Sequence, residues 1–167
     1  MQRLSLEEFK EAEKLPLVVV LDDVRSMHNV GSVFRTGDAF RIEAVYLCGI
    51  TSTPPNAEIH KTALGAEDSV EWKAFASAQE AVVALKQAGY KIYSVEQAHG
   101  STMLNDFVPS KGQKYAVILG NEVKGVHQEV VDMSDGCLEI PQFGTKHSLN
   151  VSVAAGIIIW HFAQNLL

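Results

Sequence analysis

Short apolar runs alternate with segments of helical spacing along almost the whole chain, and this alternation constrains the fold more than any other feature. The runs lie at residues 15–23, 43–49, 69–74, 90–96, 115–120 and 137–141. The first, LPLVVVLDD, is continuous and rich in β-branched residues, which is typical of a strand covered on both faces. Strands that alternate with helices predict an α/β fold with a mostly parallel, six-stranded sheet flanked by helices.

Apolar spacing and stop signals predict the helices between these strands. After an acidic helical start, helices are expected at residues 29–41, 57–64, 76–89, 127–132 and 148–164. Residues 97–113 contain Gly100, Pro109 and Gly112 among polar residues and are predicted to form a loop.

Length and composition favour a single globular domain. The 167 residues are close to the ~150 typical of one domain, so residues 1–167 are expected to form one unit with a short N-terminal extension at residues 1–16. No apolar run approaches the ~20 residues that cross a bilayer, and the N-terminus lacks the basic and apolar parts of a signal peptide. We therefore expect a cytoplasmic protein with no membrane partner.

Cysteine spacing and net charge argue against a metal site and against broad binding of nucleic acid. Cys48 and Cys137 lie far apart without further ligands of metal spacing, and the six histidines form no HExxH motif, so no metal is expected. Fourteen basic and twenty acidic residues give a net charge of −6, which disfavours charge-driven binding of nucleic acid over a wide surface. A local basic patch is compatible with this balance.

Common signatures of nucleotide and hydrolase sites are absent from the sequence. No GxGxxG follows the first strand, and no GxSxG motif occurs. Gly120 and Gly125 have the separation of a phosphate loop, but Val126 and His127 stand where Lys and Ser or Thr are required. A classical NTPase and an α/β-hydrolase are therefore disfavoured.

Three polar clusters instead follow three predicted strands, whose carboxyl ends meet at one edge of a parallel sheet. The first, NVGSVFR, places Asn29 at a helix start, Gly31 where backbone could approach closely, and Arg35 within reach of an anion. The structural alternative is a helix capped by Asn29, with Arg35 paired to one of three aspartates, Asp22, Asp23 and Asp38.

The second and third clusters follow residues 115–120 and 137–141. LGNEVKG places Glu122 just past a strand end, where a plain turn is the alternative. In IPQFGTKHSLNVSVAA, Ser148 is predicted to cap the last helix. Asn150 is costly in the first turns of an apolar helix, which makes it a candidate site residue unless it forms a capping contact.

The predicted last helix is apolar on nearly every side. Its apolar residues are Leu149, Val151, Val153, Ala154, Ala155, Ile157, Ile158, Ile159, Trp160 and Phe162. A helix packed on one sheet face needs a single apolar stripe, so the surplus predicts a second covering surface, most simply a partner subunit.

In order and spacing, NVGSVFRT, LGNEVKGV and IPQFGTKHSLNVSVAA resemble motifs one, two and three of the SpoU (TrmH-type) RNA ribose 2′-O-methyltransferases of the SPOUT superfamily. The resemblance extends from about Leu17 to Phe162, and motif three is highly specific. It implies a single SPOUT methyltransferase domain with a C-terminal deep trefoil knot and a homodimer formed through the C-terminal helix. It also implies that S-adenosyl-L-methionine donates a methyl group to a ribose 2′-hydroxyl of tRNA or rRNA.

The resemblance implies a catalytic set made of Arg35, Asn29, Glu122, Ser148 and Asn150. A guanidinium stays protonated, so Arg35 is expected to hold a phosphate and stabilise the developing alkoxide rather than act as a free base. Asn29 would orient Arg35 or the ribose, and Glu122 would anchor the polar network. Ser148 and Asn150 would position the arginine and the substrate.

The same resemblance implies a cofactor pocket lined by Gly120, Ile140 and Leu149, with the loop after Val95 closing around the adenine. A confined basic rim for RNA could comprise Arg25, Arg35, Arg41, Lys124 and Lys146. Two other functions stay open: a non-catalytic RNA-binding module that retains the pocket, and a Rossmann-like enzyme for another nucleotide.

Overall fold

A computed structural model describes residues 3–167, so the first two residues of the expected 1–16 extension lie outside the described residues. Its strands are β1 (Leu15–Asp22), β2 (Ile42–Cys48), β3 (Glu71–Phe75), β4 (Tyr90–Val95), β5 (Thr102–Met103), β6 (Lys114–Leu119) and β7 (Gly136–Glu139). All pair in parallel in one sheet of order β3-β2-β1-β6-β4-β7-β5.

Among the described residues the sheet has seven strands, where the sequence predicts six. The additional strand, β5, lies in the stretch 97–113 that was expected to be a loop, and it pairs with β7 through Thr102 and Met103. Two residues are too few to show the alternation on which a strand prediction depends. The other six strands confirm the prediction.

Within residues 3–167, seven α-helices cover both faces of the sheet. They are α1 (Leu6–Glu11), α2 (Met27–Ala39), α3 (Ala57–Ala63), α4 (Ala66–Ser69), α5 (Ala78–Gln87), α6 (Gln128–Met133) and α7 (Val151–Leu166). One buried cluster joins α1, α2, α3, α4 and α7 to alternate residues of β1, and a second joins α5 and α6 to the intervening residues. The predicted α/β fold with helices flanking a parallel sheet is thus confirmed.

Two helix caps differ from the prediction. The N-cap of α2 is Ser26, whose hydroxyl accepts a hydrogen bond from the Asn29 N–H at 3.1 Å, so Asn29 lies inside the helix. The N-cap of α7 is Asn150 rather than Ser148, and its side-chain oxygen accepts from the Ser152 N–H at 2.9 Å. Ser and Asn are nearly equal as caps, and residue preference alone does not choose between neighbouring ones.

Gly31 explains how closely α2 packs against α3. A β-carbon at this position would lie 2.0 Å from the Thr62 hydroxyl oxygen and 2.3 Å from the Ile59 carbonyl oxygen. A residue without a side chain is therefore required here, as the sequence suggests. This packing fixes the start of α2 beside the carboxyl ends of the strands.

Within residues 3–167, none of the helices combines the length and the apolar character needed to span a bilayer. The trefoil knot that the resemblance implies stays a prediction.

Candidate active site

A cavity of about 580 Å³ lies at the carboxyl edge of the sheet. Its wall comes from the ends of β4, β6 and β7, from the loops that follow them and from the first turn of α7, and its lining residues are 95–97, 119–125, 138–140, 142, 147–151 and 154. We call residues 120–125 the motif-two loop and residues 142–149 the motif-three loop. These loops contain the second and third polar clusters of the sequence.

The strands that deliver the three clusters are not all neighbours. β1 pairs with β6, but β4 lies between β6 and β7. The segment after β4 consequently contributes to the wall with Glu96 and Gln97. The Glu96 carboxylate accepts a hydrogen bond from the Val126 N–H at 2.6 Å and so joins this segment to the motif-two loop. Sequence reasoning named the loop after Val95 but neither of these side chains.

Glu122 joins the motif-two loop to the segment between β1 and α2. Its carboxylate accepts hydrogen bonds from the backbone N–H groups of Arg25 at 2.9 Å and Ser26 at 2.8 Å. It also accepts one from Asn29 Nδ2 at 3.3 Å. Burial alone would raise the pKa of the Glu122 carboxyl, but the donated hydrogen bonds outweigh burial and lower this pKa. The side chain is therefore a carboxylate that holds two motifs together.

Gly120 lets the motif-two loop fold back on itself. A β-carbon on Gly120 would lie 2.1 Å from the carbonyl carbon of Gly125 and 2.2 Å from the Val126 nitrogen, both of which are backbone atoms. The loop closes through two hydrogen bonds between Asn121 and Gly125, at 2.8 and 3.0 Å. Backbone groups of this tight loop thus line the cavity directly.

A second set of polar contacts joins Asp22 and Asp23, at the carboxyl end of β1, to His127, which lies two residues after the motif-two loop. Asp22 is 2% exposed, and its carboxylate accepts hydrogen bonds from the His127 backbone N–H and from ring atom Nδ1, each at 2.9 Å. The other ring nitrogen, Nε2, lies 3.5 Å from the Asp23 carboxylate. The hydrogen bond to Asp22 is the main cause that raises the pKa of His127. Sequence reasoning missed this cluster, because 105 positions separate Asp22 from His127.

The motif-three loop presents its groups to solvent. Residues 143–150 are all exposed, and one hydrogen bond, from Gln97 Nε2 to the His147 carbonyl at 3.0 Å, ties residues 142–149 to the rest of residues 3–167. Ser148, Leu149 and Asn150 line the cavity. The Asn150 side-chain oxygen caps α7, as the structural alternative proposed, and its amide nitrogen has no partner among the described residues.

Arg35 is the one predicted catalytic residue that lies apart from both the cavity lining and the Glu122 contacts. It follows Asn29 by six helical residues, which places it about 9 Å farther along α2 and on a different face. Its side chain is exposed and forms no ion pair with any of residues 3–167. The alternative in which an aspartate neutralises Arg35 is therefore wrong.

The structure places fewer basic residues near the cavity than the five that were predicted to form a rim. Arg41 directly precedes β2, so it lies at the amino edge of the sheet, opposite the cavity. Arg25, Lys124 and Lys146 lie in or beside the loops at the cavity and are exposed. We call these three residues the basic rim.

Comparison with known proteins places this chain in a family. The SpoU rRNA methylase family matches residues 16–160. An uncharacterised tRNA/rRNA methyltransferase of Borreliella burgdorferi is 33% identical over 96% of this chain and 69% of its own length. The 23S rRNA (guanosine-2′-O-)-methyltransferase of Neisseria meningitidis serogroup B is 31% identical over 86% of this chain and 56% of its own length.

Solved structures agree with the sequence comparison. An rRNA methyltransferase from Sinorhizobium meliloti, in a crystal structure with bound S-adenosyl-L-methionine, has a TM-score of 0.84 and 25% identity to this chain. The match covers 94% of this chain and 62% of that protein. From the match over residues 16–160, the chain belongs to the SpoU rRNA methylase family.

Proposed function

We propose that the chain transfers the methyl group of S-adenosyl-L-methionine to a ribose 2′-hydroxyl of tRNA or rRNA. The observation that carries the proposal is the meeting of the motif-two and motif-three loops around one cavity, with motif one bound to its wall through Glu122. The names of the relatives from Neisseria and Sinorhizobium support the reaction and the cofactor. Because the chain spans 56% and 62% of these two proteins, the proposal rests on the chain's own residues.

The lining of the cavity fits S-adenosyl-L-methionine. Its volume of about 580 Å³ lies within the ~300–1,000 Å³ typical of small-molecule sites. Leu119, Leu138 and Ile140 provide apolar surface for the adenine. Glu96 and Glu122 provide negative charge for a molecule with a positive sulfonium and a positive ammonium group. When bound, the cofactor supplies a methyl group that is electrophilic enough for attack by oxygen.

Arg35 supplies the positive charge that the hydroxyl nucleophile needs. A hydroxyl is a weak nucleophile unless its proton is removed or the developing negative charge is stabilised. The guanidinium stays protonated and has no ion pair within residues 3–167, so it is available to an RNA phosphate. In this proposal Arg35 binds the phosphate beside the target ribose and stabilises the alkoxide.

The other predicted residues position the reactants. Glu122 and Asn29 fix the start of α2 relative to the motif-two loop and act on the reaction through this geometry. The Ser148 hydroxyl and the free amide nitrogen of Asn150 are exposed at the cavity, where they can bind the ribose or its phosphate. Alignment of two bound reactants can lower a barrier by several kcal/mol, on the order of 7 or more in good cases.

A second copy of the chain is the partner that the outer face of α7 fits. Val153, Ile157 and Trp160 lie one helical turn apart in a single stripe and are 51%, 38% and 51% exposed. Trp160 also contacts Phe40, at the end of α2, with ring centroids 5.6 Å apart. An isologous dimer would bury this stripe and bring α2 of one copy near its partner. Since Arg35 lies outside its own cavity, we propose that it serves the cavity of the partner.

RNA enters over the basic rim rather than over a wide basic face. Lys124 lines the cavity, Lys146 lies on the motif-three loop and Arg25 lies beside Glu122, in a chain whose net charge is −6. Affinity for RNA is therefore modest and falls with added salt. We place the protein in the cytoplasm, where tRNA and rRNA are found.

Methyl transfer is tested with tritiated S-adenosyl-L-methionine and unfractionated tRNA and rRNA from cells that lack the gene. We expect label in alkali-resistant linkages, because a 2′-O-methyl group blocks alkaline cleavage. Arg35→Ala should lower the rate at least about 100-fold, the effect of removing one stabilising donor. Arg41→Ala, at the opposite edge of the sheet, is the matched control and should retain the rate. Calorimetric binding of the cofactor without labelling of any RNA would instead favour the non-catalytic RNA-binding module.

A further inference from the structure

Phe143 is an aromatic side chain on the motif-three loop that no other part of the protein covers. It is 96% exposed, more than any other large apolar side chain of residues 3–167. Single exposed apolar residues are ordinary on protein surfaces, so exposure alone assigns no role. What distinguishes Phe143 is its place, directly after cavity residue Gln142 on a loop that one hydrogen bond holds to the rest of the described chain.

The motif-two loop, which also lines the cavity, carries a similar group. Val123 is 86% exposed at the tip of the motif-two loop. Lys124 follows it, and Lys146 follows Phe143 by three positions on the motif-three loop. Neither lysine forms an ion pair with any of residues 3–167. Each loop at the mouth of the cavity thus combines one exposed apolar side chain with one unpaired cation.

This combination matches the chemistry of an unpaired nucleotide. A base presents a flat apolar face, which stacks on aromatic side chains, and its flanking phosphates are anions. We infer that Phe143 is the platform on which a base of the RNA substrate stacks, with Lys124 and Lys146 binding the neighbouring phosphates. The inference rests on the proposed function and adds a positioning residue that acts on the RNA rather than on the cofactor.

A protein partner fits these groups less well than RNA. The apolar stripe available to a second copy lies on α7, whereas Phe143 belongs to the cavity loop. The lysines on both loops would also repel the same lysines of a second copy placed face to face. The mouth of the cavity is therefore assigned to the substrate.

Substitution of Phe143 separates stacking from folding and from cofactor binding. Phe143→Ala should lower kcat/KM for RNA methylation about 5- to 150-fold, the range that loss of one base stack produces. Phe143→Tyr should retain the wild-type kcat/KM. The kcat/KM of Phe143→Leu should lie between the values for Phe143→Ala and Phe143→Tyr. The affinity for S-adenosyl-L-methionine in calorimetry and the mass in light scattering should be unchanged, since Phe143 is exposed.

A direct readout of stacking comes from Phe143→Trp. Added tRNA and rRNA should quench its fluorescence more than that of the wild-type protein, which already contains Trp72 and Trp160. Lys146→Ala should reduce the slope of log affinity against log salt by about 1, whereas Lys111→Ala, at the amino edge of the sheet, should leave it unchanged.

Three results would overturn the inference. The first is an unchanged kcat/KM in Phe143→Ala, and the second is the absence of additional quenching in Phe143→Trp. The third is a change of mass in Phe143→Ala, which would assign Phe143 to a contact between protomers. If wild-type protein labels no RNA but Phe143→Trp is still quenched by it, methyl transfer fails as the proposed function while the stacking site stands.

Discussion

Glu122 Oε2 and Asn29 Nδ2 lie 3.3 Å apart, although 93 positions separate the two residues in the chain. The same carboxylate accepts two backbone N–H groups at the start of α2. One side chain therefore fixes motif one against the motif-two loop. Both residues were expected in the site, but their contact depends on the order of β1 and β6 in the sheet.

Glu122→Gln should destabilise the protein by about 1–2 kcal/mol. Hydrogen bonds to a charged group contribute about 1.5–3 kcal/mol, and the partial exposure of Glu122 reduces this value. An amide offers one acceptor oxygen where the carboxylate serves three N–H donors. Urea unfolding measures the change. Glu71→Gln, an exposed carboxyl on β3, is the control, and equal midpoints for the two variants would contradict the assignment.

His127 should make stability depend on pH above its ordinary pKa of about 6.5. The folded-state pKa of His127 is raised, mainly by its hydrogen bond to Asp22, so its contribution is fully present below the unfolded pKa of about 6.5. That contribution is lost as the pH rises through the folded pKa. Because the ring is 44% exposed, the loss should not exceed about 1 kcal/mol.

The measurement is urea unfolding of the wild type and of His127→Gln at several pH values. The difference in free energy of unfolding between the two proteins should be largest below pH 6.5 and should shrink as pH rises through the raised pKa of His127. A difference that stays constant over this range would show that the ring is not protonated against Asp22.

Gly31→Ala should destabilise the protein by about 1–3 kcal/mol, the usual cost of forcing atoms into a packed interior. Its β-carbon would lie 2.3 Å from the Ile59 carbonyl oxygen, a backbone atom, so α2 and α3 would have to separate. Gly144→Ala is the control, because nothing lies within 4 Å of its β-carbon. Thermal unfolding compares the two, and a destabilisation that is equal in both would refute the packing argument.

Local sequence patterns predicted most of the sheet, because continuous apolar runs identify buried strands. They did not predict β5, whose two residues, Thr102 and Met103, are defined by pairing with β7 alone. The caps Ser26 and Asn150 were displaced by three and two positions from the predicted Asn29 and Ser148. Ser and Asn have nearly equal preferences for the N-cap position, so tertiary packing determines which of the neighbouring residues caps the helix.

The site was predictable to the extent that its residues follow strand ends. Gly120, Glu122 and Ile140 do so, and they line the cavity. Arg41 directly precedes β2. Because the strands are parallel, this places Arg41 at the amino edge of the sheet, opposite the cavity. The contact between Asp22 and His127 could not be predicted, because it depends on loop conformation at the two strand ends.

Substitution of the outer stripe of α7 tests the proposed dimer. Ile157→Lys should give a monomer in light scattering at micromolar concentration, because it places a charge within an apolar interface. Val83→Lys makes the same kind of change on α5, which packs on the opposite face of the sheet, and should leave the mass unchanged. A wild-type monomer would contradict the assignment of the stripe to a second copy.

Mixed dimers test whether Arg35 serves the cavity of the partner. Differently tagged Arg35→Ala and Asn150→Ala chains are produced together, and dimers that carry both tags are purified. If Arg35 acts across the interface, one of the two cavities has both an intact Asn150 and an intact Arg35, so methylation should reach about half the wild-type rate. If Arg35 acts within its own chain, each cavity lacks one group, and the mixed dimer should be as inactive as either parent. Cofactor binding in calorimetry confirms that the cavities are folded in both cases.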